Sequence, residues 1–368
     1  MRDRDDLNEL LVAYDGECPL DEAKTPPSAW YLNRHFLEAE KEAVFEPRWT
    51  YAAPAEKLRT PGSWVSGELL GEPWLVVRDT SGALRAFANT CRHHASRLAS
   101  GEGRSDELVC PYHGWTYSLE GRLLKAPRLG KTRAFDPAEC RLHEYEAREF
   151  GPFVMIRLRD TRDEFDWTEL ESVLDADDLR WIARREYSLE CNWKVFADNY
   201  LDGGYHIPHL HGGLDAQLNM SSYRTRLFDG WSLQTCDATS ASPADDASID
   251  PKVRIGREAR YAYLYPNFAI NRYGPVLDTN WIQPVSPNET RVVFDFWLSA
   301  EFVSDEAFVS ATLEASESTQ LEDVGICREV QKGLASRGFD RGPYASMETG
   351  MRQFHQLLVR DLRAHARE

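Results

Sequence analysis

The stretch Cys91–Tyr117 reads CRHHASRLASGEGRSDELVCPYHGWTY. In a chain of 368 residues with seven cysteines and ten histidines, it gathers two of the former and three of the latter. The pattern is Cys91-x-His93, sixteen residues, then Cys110-x-x-His113. Thiolates and imidazoles at such spacing are metal ligands by chemical type. Zinc takes four of them around one tetrahedral ion. A two-iron, two-sulfide cluster takes two cysteines on one iron and two histidines on the other, and here each loop offers one ligand to each iron.

Working outward, Pro111 stiffens the second loop, and Gly114 and Trp115 follow its histidine. The string CRHHAS…CPYHGWTY resembles the Rieske motif. That resemblance implies a [2Fe–2S] cluster on Cys91, His93, Cys110 and His113. His94 lies one backbone step from His93, where an extended chain reverses side-chain direction, and reads as a polar loop residue. Cys18, Cys140, Cys191, Cys236 and Cys327 read as small buried hydrophobes. A cluster alone only carries electrons, and the chain is far longer than that task requires.

The destination for those electrons is sought in NWKVFADNYLDGGYHIPHLHGG, Asn192–Gly213. Three histidines fall within six residues, at 206, 209 and 211, after Asp202. Non-haem Fe(II) oxygenases bind iron through two histidines and one carboxylate and leave the opposite positions open. His206 and His211 have a spacing that suits a helix end breaking at Pro208, with His209 as the competitor. The string resembles the iron-binding helix of the Rieske non-haem iron oxygenase catalytic subunits, whose four-residue separation selects His211. The family's carboxylate is an aspartate on a C-terminal helix, and STQLEDVGICREVQKGL resembles that segment. This implies Asp323 as the third ligand; Glu322 beside it points about 100° away on a helix.

By the same resemblance Asp202 hydrogen-bonds a Rieske histidine of a neighbouring subunit and carries electrons between the sites. The usual spacing is three residues before the first histidine; here it is four, with Gly203-Gly204 between. Asn199 is expected beside the metal as a polar neighbour. The resemblance is nearest to choline monooxygenases and other quaternary-ammonium oxygenases, through NWKVFADNYLDGGYHIPH, YLYPNFAINRYGPVLDTN and LEDVGICREVQKGL. It implies hydroxylation by O₂ with electrons from a ferredoxin or ferredoxin reductase, on a small cationic substrate, most simply choline to betaine aldehyde hydrate. N-demethylation of betaine- or carnitine-like substrates and aromatic-ring dioxygenation are the rival reactions. A Rieske electron carrier with an inert partner domain, or a zinc scaffold, is the non-enzymatic alternative. A trimethylammonium group offers no hydrogen-bond donor, so aromatic faces must bind it; Tyr205, Tyr263, Phe268, Tyr273 and Trp281 are the candidates. A homotrimer is implied.

The remaining texture sets the fold. Residues 1–46 read as a helical segment packing on the catalytic domain, with FLEAEKEAVF periodic. Residues 47–160 are short β runs, WVSGELL, PWLVVRD, ALRAFANT and FGPFVMIRL, forming a small all-β Rieske domain. Residues 161–368 mix α and β, with YAYLYPNFAINRY, TNWIQPV and RVVFDFWLSA as strands. The resemblance implies an α+β chain, with a small all-β Rieske domain inserted before a helix-grip (START-like) antiparallel sheet. The polar run Asp237–Pro251 reads as an exposed loop or lid. Leu321, Val324, Cys327 and Val330, and Met347, Met351, Phe354, Leu358 and Leu362, read as core stripes of terminal helices.

The net charge of −17 argues against nucleic acid and favours, weakly, a cationic ligand. Arg85, Arg92, Arg97, Arg104 and Lys125 give the cluster end a basic bias suited to an acidic electron donor. No apolar run approaches a membrane span, and the mixed-charge start MRDRDDLNELL resembles neither a signal nor a transit peptide. An odd cysteine count in a large chain points to a reducing, cytoplasmic setting.

Overall fold

The computed structural model describes residues 2–130, 133, 135–161, 165–239 and 257–367. From residue 240 onward, the run read as an exposed loop or lid lies outside the described residues. The chain divides into two compact units. One is Glu46–Glu171; the other joins Met1–Phe45 to Ser172–Glu368. The boundary therefore falls at 171 and not at 160. Trp167 is the reason, since its ring meets those of Trp49 and Phe150 inside the first unit.

The chain opens with α1 (Arg2–Val12), α2 (Ala29–Leu32) and α3 (Arg34–Glu40), which runs into a π turn at Lys41–Phe45. Phe36, Leu37, Glu40, Val44 and Phe45 are buried along this run, the periodicity of FLEAEKEAVF made physical.

The Glu46–Glu171 unit is an antiparallel sheet plus a three-stranded ribbon. Its strands are β1 (Thr50–Pro54), β2 (Ser63–Leu69), β3 (Glu72–Arg78), β4 (Leu84–Ala88), β5 (Glu102–Arg104), β6 (Leu108–Val109), β7 (Thr116–Tyr117), β8 (Leu123–Lys125), β9 (Glu144–Phe150) and β10 (Phe153–Arg157). The sheet order is β1-β10-β9-β4-β3-β2-β5, with β6-β7-β8 separate. The β3–β4 turn is built by Asp79, whose buried carboxylate accepts from the backbone N–H groups of Ser81 and Ala83 and from the Arg85 guanidinium. These bonds overcome its desolvation and hold its pKa down to about 2. α4 (Thr168–Leu174) crosses the unit boundary.

The larger unit is built on one antiparallel sheet. Its strands are β11 (Leu179–Leu189), β12 (Arg224–Phe228), β13 (Trp231–Asp237), β14 (Glu258–Leu264), β15 (Phe268–Tyr273), β16 (Val276–Ser286) and β17 (Glu289–Ser299). They run in the order β11-β17-β16-β15-β14-β13-β12. YAYLYPNFAINRY is thus two strands, not one. Pro266, which has no N–H to donate to a ladder, sits in the turn that separates them. β16 is buried from Val276 to Pro284, as a strand covered on both faces must be.

The helices that carry the site are α5 (Trp193–Leu201), α6 (Ile207–Leu210), α7 (Gly212–Asp215), α8 (Glu306–Leu334) and α9 (Thr349–Arg367). α9 buries Met351, Phe354, Leu358 and Leu362; Met347 precedes it and is exposed. The expected stripe on α8 is corrected more deeply. Leu321 and Val330 are exposed, and only Cys327 of that set is buried. The buried face instead carries Thr312, Ser316, Gln320, Cys327 and Gln331. A polar inward face means that this helix borders a polar cavity and not only a core. No helix among the described residues is long and apolar enough to cross a membrane.

A fully buried ion pair ties the N-terminal segment to the site helix. Lys194 Nζ lies 2.7 Å from Glu40 Oε1, and Trp193 Nε1 donates to Glu40 Oε2 at 3.0 Å. Burial raises the Glu40 pKa and lowers that of Lys194, and the attraction between them opposes both shifts. Lys194→Met therefore leaves an uncompensated buried carboxylate, at a cost of about 3–5 kcal/mol. Denaturant unfolding should show that loss, and Glu40→Leu/Lys194→Met should recover most of it. Equal instability of the single and double variants would assign the cost to packing and not to charge.

Candidate metal centres and substrate cavity

The two cysteine–histidine loops of the smaller unit are built alike. In the first, Cys91 N donates to Ser96 O and Ala95 N returns to Cys91 O. In the second, Cys110 N donates to Trp115 O and Gly114 N returns to Cys110 O. Ala95 (φ +58°) and Gly114 (φ +72°) supply the left-handed residue that closes each turn. The loops bring the His93 and His113 rings to 4.7 Å, and His93 stacks on Trp115 at 4.6 Å, 4° from parallel. Cys91 and Cys110 lie in the unit's apolar core, with Tyr117 OH 3.3 Å from Cys91 Sγ. His93 Nδ1 is buried without a partner. Desolvation, then the neighbouring His94 and His113, lower the His93 pKa and favour the neutral, metal-binding imidazole. Two thiolates and two imidazoles, one of each on either loop, fit a two-iron cluster with the cysteines on one iron and the histidines on the other.

In the larger unit, α5 is capped by Asn192, whose side chain accepts from Lys194 N, and ends at Leu201. Asp202, Gly203 and Gly204 then turn the chain sharply. Both glycines have positive φ, and a Cβ on Gly203 would stand 2.4 Å from Met347 O. The turn folds the Asp202 carboxylate back onto the following residues: Oδ1 accepts from the N–H groups of Gly204 and Tyr205, Oδ2 from that of His206. Oδ2 also meets His206 Nδ1 at 2.7 Å. The extra residue before His206 is thus absorbed by a two-glycine loop. Pro208 does not break a helix here. It sits in the first turn of α6, where its missing N–H costs nothing.

His206, His211 and Asp323 offer ligand atoms that all lie within 4.8 Å of one another. His209 is exposed on the outer side of α6. Buried His211 is gripped from both sides: Nδ1 by Glu322 Oε2 at 2.6 Å and Nε2 by Asp323 Oδ1 at 3.1 Å. The two carboxylates do diverge on the helix, yet both reach one imidazole. Burial works against His211 protonation, but the hydrogen bonds and charges of Asp323 and Glu322 outweigh it and raise its pKa. Asn199 Nδ2 donates to Asp323 Oδ1 at 2.8 Å. Each histidine therefore has Nδ1 tied to a carboxylate, Asp202 or Glu322, and the Nε2 of His211 turned to Asp323, the third candidate donor; outer carboxylates of this kind orient metal-bound imidazoles. The donor set fits a mononuclear Fe(II).

Beside these donors opens a cavity of about 100 Å³. Four tyrosines wall it: Tyr200, Tyr223, Tyr261 and Tyr273, with Tyr261–Tyr273 ring centres at 5.7 Å and Tyr223–Tyr261 at 6.4 Å. On its floor Asn271 Nδ2 donates to Asp278 at 2.7 Å, and Tyr200 OH donates to Asn271 Oδ1 at 2.8 Å. The two residues face each other across β15 and β16. Among the described residues no lysine or arginine lines the cavity.

Residues 48–137 match the model of the Rieske [2Fe-2S] domain, and residues 176–364 that of the ring hydroxylating alpha subunit (catalytic domain). The chain belongs to the Rieske non-haem iron oxygenases. Its cofactors are accordingly the Rieske [2Fe–2S] cluster and a mononuclear iron. The chloroplastic choline monooxygenase of Arabidopsis thaliana is 40% identical over 97% of this chain and 87% of its own. The carnitine monooxygenase oxygenase subunit of Escherichia coli K12 is 29% identical over 92% and 94%. A solved quaternary ammonium Rieske monooxygenase, described for carnitine oxidation and inter-subunit electron transfer, superposes with a TM-score of 0.82 at 26% identity, covering 93% of this chain and 96% of that one.

Of the aromatic residues expected in the oxygenase's pocket, only Tyr273 lines it. Tyr205 is exposed to solvent. Phe268 and Trp281 oppose each other in the β15–β16 register, on the sheet face away from Asn271 and Asp278. Tyr263 spends its hydroxyl on Pro266 O and packs towards Phe354. Tyr200, Tyr223, Tyr261, Asn271 and Asp278 were missed. The basic bias near the cluster also shrinks. Arg85 pairs with Asp79 and Glu144, Arg97 with Glu68, and Lys125 with Glu107, while Arg104 donates to Pro61 O.

Replacing His211 by Ala should remove the mononuclear iron and leave the Rieske visible spectrum intact, whereas His209→Ala should change neither. Glu322→Gln should weaken iron binding roughly 10–100-fold by loosening His211. Metal analysis beside the absorption spectrum reads all three variants. Iron loss in His209→Ala would transfer the ligand role to that residue.

Proposed function

We propose that this oxygenase hydroxylates choline, a small quaternary ammonium alcohol, and that His206, His211 and Asp323 hold its mononuclear iron. Cys91, His93, Cys110 and His113 hold the cluster in this reading. The observation that carries the substrate is the cavity: four tyrosines around a buried carboxylate, with no lysine or arginine in the lining among the described residues. A trimethylammonium group is held by aromatic faces at about 0.5–2 kcal/mol each, and Asp278 supplies the counter-charge. An arene needs neither the carboxylate nor the polar floor. The names of the plant relative and of the solved quaternary ammonium monooxygenase support the same substrate class.

The cluster transfers single electrons and the mononuclear iron activates O₂ when both are bound. The balance is choline plus O₂, two electrons and two protons, giving betaine aldehyde hydrate and water. The chain's own residues orient and enclose. Asp202 and Glu322 fix the two imidazoles, Asn199 fixes Asp323, and the tyrosines exclude water from the cation. A ferredoxin or ferredoxin reductase supplies the electrons. The active assembly is a homotrimer in which Asp202 joins His206 to the exposed His113 of a neighbouring subunit. The inter-subunit transfer described for the solved relative supports this. None of the seven cysteines is paired in a disulfide, which supports a cytoplasmic setting.

Single turnover tests the reading. The anaerobically reduced enzyme is mixed with O₂ and choline, and products are read by mass spectrometry. Betaine aldehyde without formaldehyde is expected, and Asp278→Asn should raise the choline KM roughly tenfold. Formaldehyde from carnitine with choline untouched would make it a demethylase, and a cis-diol from naphthalene would make it a ring dioxygenase.

A further inference from the structure

Two side chains that line the cavity are unpaid polar groups. Asn280 Nδ2 and Gln320 Nε2 are each buried with no hydrogen-bond partner, in residues only 3% exposed. They come from opposite walls. Asn280 lies on β16, two residues beyond Asp278 and on the same face, between Ala269 and Phe294 of the adjoining strands. Gln320 lies on the buried polar face of α8, three residues before Asp323 and so on the side of the helix that carries the metal donor. A buried N–H group left unbonded costs about 1–3 kcal/mol, so two in one cavity mark a place that an acceptor is meant to fill.

We infer that Asn280 and Gln320 are the specificity-determining donors for the substrate's oxygen. They accept an alcohol and disfavour both the hydroxyl-free cation and the carboxylated zwitterion. The inference rests on the quaternary-ammonium reading and adds to it. The tyrosines and Asp278 answer the cationic end of the molecule, and nothing among them answers the other end. The donors are neutral amides, and the lining holds two carboxylates, Asp278 and Asp323, with no lysine or arginine among the described residues. A hydroxyl oxygen accepts from two amides without adding charge. A substrate carboxylate in that position would meet two neutral amides and no lysine or arginine, while the charge of a bound iron is already shared with Asp323. Because Gln320 shares its helix face with Asp323, the same bonds draw the carbinol carbon towards the metal donors and leave the methyl groups in the tyrosine box.

The test compares equilibrium binding of choline, ethyltrimethylammonium and glycine betaine to the oxidised holoenzyme and to Gln320→Met and Asn280→Leu. Iron content and Rieske absorbance verify that each variant is loaded. The wild type should prefer choline to both other ligands by about tenfold or more, since a site built to bond a hydroxyl rejects the analogue that lacks one. In each variant the choline preference over ethyltrimethylammonium should fall towards one, with the affinity for ethyltrimethylammonium itself unchanged. Variants that keep the full choline preference, or lose both cations equally, overturn the assignment while the quaternary-ammonium reading stands. A wild type that binds neither cation overturns both. Should one variant fail to load iron, the other still decides, because each donor is assigned its own share of the discrimination.

Discussion

Everything the catalytic unit does depends on carboxylates holding imidazoles. Asp202 fixes His206 and Glu322 fixes His211, each through Nδ1. The bonds set which nitrogen faces inward and remove the rotation that would otherwise blur the site. Asp202 is bound in turn by three backbone N–H groups of its own loop. A carboxylate so occupied is a rigid part of the scaffold, and its position is set by two consecutive glycines that no larger residue could replace. Met347 O and the Tyr223 ring already fill the space a Cβ would take.

The same economy extends outward from α5. Its first turn is pinned by Glu40 through Lys194 and Trp193, its middle by Asp198, which meets His355 of α9 at 2.9 Å and Tyr31 at 2.6 Å. His355 passes to Tyr344, and Tyr344 to Tyr14. The N-terminal segment and the C-terminal helix are thereby bonded to the helix one residue away from Asn199. Buried pairs of this kind add little net stability, but they penalise any arrangement that separates the partners. Their effect is a single allowed placement of the helix that presents Asn199, Asp202 and His206.

What was legible in the sequence followed spacing within one segment. The cluster loops, the α5 helix and the choice among three closely spaced histidines are local problems, and local patterns answer them. The pocket is not local. Its lining comes from four strands, four helices and the turns between them, and the choice of aromatics by type alone failed there. Part of that failure was avoidable. Phe268 and Tyr273 are five apart on one strand and cannot share a sheet face, and Trp281 cannot share one with Asp278 or Asn280. Parity could have separated them. Tyr263 has the right parity and the wrong row, which only the position of Phe354 on α9 explains. Glu322 was set against Asp323 as a rival, although a histidine has two nitrogens and can take one carboxylate on each.

The α8 helix shows why the misreadings cluster where they do. Hydrophobic periodicity assumes that the inward face of a helix is apolar, and on α8 the inward face is Thr312, Ser316 and Gln320, while Leu321 and Val330 look outward. A fold built for stability alone would reverse that pattern, since each buried polar group must find a partner or bear the loss of water. The pattern persists because the partner is not part of the chain. In the proposed reading a metal answers Asp323 and the substrate answers Gln320. Local rules fail along this helix for the same reason that the cavity beside it is reactive: its polar groups are held, dry and oriented, for molecules that arrive later.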